Sequence, residues 1–102
     1  MAVAEVSIEP VGTCSASIGD LITACVGVLQ QQQDVKWDVT AMGTILEGDR
    51  GRILSLVQQM DDACFRAGAP RVLTNLRIDE RSDKLLHMDE MEREVESNLG
   101  LV

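Results

Sequence analysis

The chain has 102 residues, 45% of them apolar and 25% charged, which is enough for one buried core and too little for two. Seventeen acidic residues against nine basic ones leave a formal net charge of −8, which argues against nucleic acid as a partner because phosphate binding needs clustered Lys and Arg. No apolar run approaches the ~18 residues of a membrane span.

The first stretch, Val3 to Val11, alternates: Ala4, Val6 and Ile8 against Glu5, Ser7 and Glu9. That period of two predicts a strand with one buried face, ended by Pro10 and Gly12. Thr13, Ser15 and Ser17 then offer helix N-caps, and Ser17 with Asp20 resembles a capping box. Ile18, Leu21, Ile22, Cys25, Val26 and Leu29 follow at steps of three and four, a helical stripe that leads into a frayed polar exit at Gln30 to Gln33.

Alternation returns from Val35 to Met42, with Val35, Trp37, Val39 and Ala41 opposed to Lys36, Asp38, Thr40 and Met42. Gly43 permits a tight turn or bulge, and Thr44 to Glu47 reads as the returning strand of a hairpin. Asp49 is the expected N-cap of a second helix whose buried stripe is Ile53, Val57, Met60, Cys64 and Ala67, closed by Gly68 and Pro70. Arg71 to Asp79 gives the last strand, with Val72, Thr74, Leu76 and Ile78 on one face. Residues 84–99 form an appended acidic helix with Leu85, Met88, Met91, Val95 and Leu99 along one side.

This order, β-α-β-β-α-β plus a C-terminal helix, predicts a single α+β domain spanning residues 1–102. Two helices pack on one face of an antiparallel sheet and leave the other face open. That open face gathers Ser7, Asp38, Thr40, Asn75 and Arg77 with neighbouring carboxylates. It suits a solvated surface, an interface between copies of the chain, or a site for one polar ligand, and the pattern leaves all three open.

Catalytic signals are missing. The single His87 has no partner Cys or His, the acidic runs of the last helix read as solvation, and no loop carries calcium-type spacing. No nucleophile–base pair or phosphate-binding loop is present, so neither catalytic nor metal-binding residues are expected. Cys14, Cys25 and Cys64 are an odd, unpatterned set that fits a reducing compartment, and no charged apolar leader precedes the first strand, so a cytoplasmic setting is expected. Arg50 and Arg52, set among glycines at a helix start, form a candidate anion site.

Three stretches carry a resemblance: Pro10-Val11-Gly12-Thr13, then Met42-Gly43-Thr44-Ile45-Leu46-Glu47-Gly48-Asp49, then Ile78-Asp79-Glu80-Arg81-Ser82-Asp83-Lys84. In this order and spacing the chain resembles the small thiamine-binding-domain family. The resemblance implies a ferredoxin-like fold, protomers that pair through their sheets and join again into tetramers, and non-enzymatic binding of thiamine or its hydroxymethylpyrimidine half. Thiamine would be a ligand, not a catalytic cofactor. The family's hairpin motif maps onto Met42, Gly43 and Thr44, and its first stretch adds Thr13. The open-face residues Ser7, Asp38, Thr40, Asn75 and Arg77 complete the expected ligand set, in a pocket on that face near a subunit boundary. The alternative is a homo-oligomer whose open face serves assembly alone, with an anion near Arg50 and Arg52.

Overall fold

The computed structural model describes residues 1–12, 18–82 and 88–101. Its elements are β1 (Ala2–Val11), α1 (Ile18–Gly27) running into a 3₁₀ turn (Val28–Gln31), β2 (Lys36–Thr40), β3 (Gly43–Gly48), α2 (Arg50–Arg66), β4 (Arg71–Glu80) and α3 (Met88–Asn98). The four strands form one antiparallel sheet in the order β2-β3-β1-β4, the ferredoxin-like arrangement the pattern predicts. β1 pairs with β4 along its whole length, from Ala2↔Glu80 to Val11↔Arg71. With β3 it pairs only from Ala2↔Gly48 to Val6↔Thr44. That difference in length creates the cavity described below.

Directly paired residues share a face, so the register sorts the side chains. Ala2, Ala4, Val6, Leu46, Trp37, Leu76 and Ile78 face α1 and α2, and they close on Cys25, Leu29, Ile53, Leu56, Val57 and Met60. A second small cluster of Leu21, Cys64 and Ala69 seals the far end against Ile8 and Val72. Each fully buried Leu or Ile contributes roughly 1.5–3 kcal/mol, which makes this aliphatic layer the main source of stability.

α2 starts and stops for identifiable reasons. The Asp49 carboxylate accepts a hydrogen bond from the Arg52 N–H at 3.0 Å, a true N-cap. At the other end Gly68 adopts φ +115°, the Gly68 N–H donates to the Phe65 carbonyl, and the Ala69 N–H donates to the Cys64 carbonyl. That is a Schellman motif, and it needs glycine at the left-handed position.

Several expectations are corrected. Ala67 is the exposed C-cap of α2, and Leu56 and Ala63 take its place in the buried stripe. Ile18, at the start of α1, is 58% exposed, leaving Leu21, Cys25 and Leu29 as the deep row. The hairpin turns at Ala41–Met42, two residues beyond Val39, and Gly43 is already the first residue of β3. The glutamine run is not a frayed end: the Gln32 amide donates to the carbonyls of Leu29 and Val35 and accepts from the Val35 N–H, stitching the turn to β2. The proposed Ser17–Asp20 capping box and residues 84–87 of the appended helix lie outside the described residues.

α3 lies outside the βαββαβ unit, on the open face. Lys36 Nζ reaches Asp89 Oδ2 at 2.7 Å, and Met91 lines a shallow depression with Val3, Glu5, Ile45, Arg77 and Asp79. Beyond that anchor Val95 and Leu99 stay exposed.

Candidate functional site

β1 continues for five residues, Ser7 to Val11, after β3 has ended against it. A cavity of about 240 Å³ opens in the notch. Val6, Ser7 and Ile8 form one wall, and the hairpin tip from Val39 to Thr44 forms the opposite one. Ile22, Cys25 and Val26 of α1 and Met60 of α2 provide an apolar wall on the helix side. Among the described residues, no charged side chain lines it.

The hairpin tip is held by its own hydrogen bonds. Thr40 Oγ1 donates to the Gly43 carbonyl at 2.8 Å, and the Met42 N–H donates back to Thr40 Oγ1 at 3.3 Å. Gly43 has a separate job. A Cβ at this position would lie 2.7 Å from the Val6 carbonyl oxygen, so glycine alone lets β3 start this close to β1. Thr44, paired with both Val6 and Val39, is 5% exposed and presents to the cavity from the helix-facing side. Met42 stands at the mouth, 81% exposed.

Three sulfur-bearing side chains, Cys25, Met42 and Met60, therefore border one small space. Burial pushes the Cys25 thiol up to about 12, helped by the nearby Cys64 and Asp61. Cys64 is raised by the same desolvation. A neutral thiol and two thioethers give polarisable walls where aromatic residues are lacking.

The expected ligand set is thus divided. Ser7, Thr40, Met42, Gly43 and Thr44 all line the cavity at the hairpin end, Thr44 from the helix-facing side. Asp38, Asn75 and Arg77 lie away from it on the exposed open face, opposite Ile45, Ser7 and Glu5 respectively. Thr13 lies outside the described residues. Ile22, Cys25, Val26, Val39 and Met60 were legible only as core positions. The one signal for more is that Ile22 and Val26 form a second apolar row beside Leu21, Cys25 and Leu29.

The two arginines at the start of α2 already face carboxylates. Arg52 Nε meets Asp34 Oδ2 at 2.7 Å and Arg50 Nε meets Glu80 Oε2 at 3.3 Å. The Arg52 hydrogen bond holds the Asp34 carboxyl below its ordinary value. An added anion would have to displace these partners. Among the described residues no group of three or more His, Cys, Asp or Glu side chains is placed to hold a metal ion. No described helix is long and apolar enough to cross a membrane.

The hairpin that walls the cavity falls inside a family match: residues 4–96 fit the model for the thiamine-binding protein family. The chain belongs to the thiamine-binding protein family. UPF0045 protein YqgV of Bacillus subtilis is 36% identical over 87 residues, covering 82% of this chain and 84% of the relative. The crystal structure of hypothetical protein MJ1052 from Methanocaldococcus jannaschii superposes with a TM-score of 0.81 at 34% identity, covering 92% of this chain and 94% of that one. A Thermotoga maritima structure, described as that of a candidate thiamine biosynthesis/salvage protein, superposes with a TM-score of 0.78 at 16% identity, covering 92% and 97%, and at that identity it speaks for the fold alone. In this member of the family, the Met42-Gly43-Thr44 segment of the hairpin is cavity wall throughout.

Proposed function

We propose that this protein binds thiamine, or its hydroxymethylpyrimidine half, without chemistry, in the cavity between the hairpin tip, β1 and α1. One observation carries the reading: Met42, Gly43 and Thr44, the hairpin residues on which the family resemblance rests, line the same cavity as Ser7 and Thr40. At about 240 Å³ the space is smaller than the roughly 300–1,000 Å³ of sites that enclose drug-sized ligands. It suits one heteroaromatic ring held inside, with the thiazolium and any phosphate outside. Thr44 offers its hydroxyl to a ring nitrogen, and the sulfur-bearing walls contact the ring faces. A net charge of −8 favours approach of a cationic ligand. Among the described residues no acid–base pair borders the cavity, which supports carriage or sensing over catalysis.

The proposed setting is the cytoplasm, where Cys25 and Cys64 remain free thiols. The proposed assembly is a homo-oligomer, a tetramer by family resemblance, which would cover the exposed apolar stripe of α3.

Calorimetric titration of thiamine into protein that has been unfolded, dialysed and refolded tests the reading. Saturable binding tighter than about 10 μM, near −7 kcal/mol, is the expected result. Thr44→Val is expected to weaken it at least about tenfold while leaving assembly intact, because a hydroxyl to a buried ring nitrogen is lost without change of shape. Wild-type affinity in Thr44→Val would move the site elsewhere. Absence of heat with thiamine, its pyrimidine and its phosphates would leave assembly as the better account.

A further inference from the structure

Among the described residues, no strand pairs with the β3 side of β1 beyond Val6. In an antiparallel ladder the N–H and C=O of one residue point to the same neighbour, and successive residues alternate between neighbours. The Val6 carbonyl points at β3, since its oxygen lies 2.7 Å from where a Gly43 Cβ would be and its carbon 3.3 Å. The β1–β4 register runs without a bulge from Ala2 to Val11. Ser7 therefore turns its polar groups to β4, and Ile8 turns both of its own toward the side where β3 has ended. Ile8 also lines the cavity.

Among the described residues, this edge then offers a single unpaired donor–acceptor pair, that of Ile8. The next residue facing the same way is Pro10, which has no N–H, so the edge offers nothing to continue a ladder. A second strand would find one usable residue and then a break. A small planar ring with one acceptor and one donor on adjacent atoms would find everything it needs.

We propose that the backbone N–H and C=O of Ile8 read the aminopyrimidine edge of the ligand, the N–H donating to a ring nitrogen and the C=O accepting from the exocyclic amine. This rests on the function proposed above and adds to it a specificity element that involves no side chain. The two bonds take the place of the missing β3 partner, and the ring lies in the notch as a one-residue extension of the sheet. Gly43 matters here a second time: by letting β3 start close against Val6, it fixes where the notch begins. The chemistry selects an amidine-type edge, acceptor beside donor. The 4-oxo analogue of the same ring presents a carbonyl where the amine stood and would set oxygen against the Ile8 carbonyl.

The test keeps the protein unaltered and changes the ligand. Uniformly ¹⁵N-labelled protein is titrated with thiamine, with 4-amino-5-hydroxymethyl-2-methylpyrimidine and with the 4-oxo analogue of thiamine, following the Ile8 amide by NMR and affinity by calorimetry. The expected result is a downfield shift of the Ile8 amide proton with the first two, slower exchange of that amide with solvent, and affinity for the 4-oxo analogue lower by at least about tenfold. Thiamine that binds with the Ile8 amide unmoved, or with the 4-oxo analogue equally tight, overturns the backbone reading and leaves thiamine binding standing. Lack of binding by all three compounds overturns both.

Discussion

Cys25 is a core residue by spacing and a cavity residue by position, and its chemistry follows from the second fact. Desolvation comes first among the causes that raise its thiol from 9.0 to about 12, so at pH 8 only on the order of one thiol in ten thousand is ionised. Iodoacetamide should therefore label Cys25 very slowly at pH 8 and faster toward pH 11, with bound thiamine slowing it further; peptide mass spectrometry reads both effects. The raised value also sets the sign of a stability effect. The folded chain holds this proton more tightly than the unfolded one, so the contribution is complete below pH 9.0 and is lost as pH rises toward about 12. The urea midpoint should accordingly be flat from pH 6 to 8 and fall above 9. Thr44, Met42 and Gly43 were legible as a site because the resemblance rests on them. Ile8, Cys25 and Met60 were not, because an apolar side chain on a buried stripe looks the same whether or not a cavity lies beside it.

At the scale of elements, the hairpin and α2 show what pattern can and cannot fix. Alternation located β2 and β3, and the Asp49 cap and Gly68 stop were readable from residue type alone. The turn position was not. Ala41 and Met42 continue the alternation past the point where the chain leaves the sheet, and only the close approach of Gly43 to Val6 shows that β3 has begun. Gly43→Ala should thus be costly: a Cβ 2.7 Å from a backbone oxygen forces the strands apart, a strain of roughly 1–3 kcal/mol. Urea denaturation measures it, and thiamine affinity should fall alongside because the notch is displaced. Asp49→Ala isolates the capping term. It removes the acceptor for the Arg52 N–H and should cost about 1 kcal/mol with ligand binding unchanged, since Asp49 does not line the cavity. The open face divided for a related reason: strand alternation assigns a residue to a face, but it does not say where one strand outruns its neighbour.

For the whole molecule the unresolved balance lies in α3. The chain's radius of gyration, 15.2 Å, exceeds the roughly 13 Å of a compact chain of this length, and the longest dimension is 47 Å. The helix is tied to the sheet by Lys36–Asp89, an ion pair about half exposed on each side, and by Met91 in its shallow depression. Val95 and Leu99 receive no comparable cover. A tether of this kind is weakened by salt and holds only the first turns, so in an isolated chain α3 opens without unfolding the core. Hydrogen exchange should then show α3 amides exchanging far faster than those of α2, and Lys36→Ala should accelerate them while the α2 amides and the urea midpoint stay put. Assembly changes this outcome in a measurable way. If another copy covers the Val95 and Leu99 stripe, protection of α3 grows with protein concentration, because the covering partner is bound by mass action. Leu99→Glu should then abolish the concentration dependence and lower the sedimentation mass, with thiamine affinity retained because α3 does not border the cavity. Protection that is the same at 5 and 500 μM (roughly the span accessible to the method) would show instead that α3 rests on its own sheet, and that the proposed oligomer forms through other surfaces.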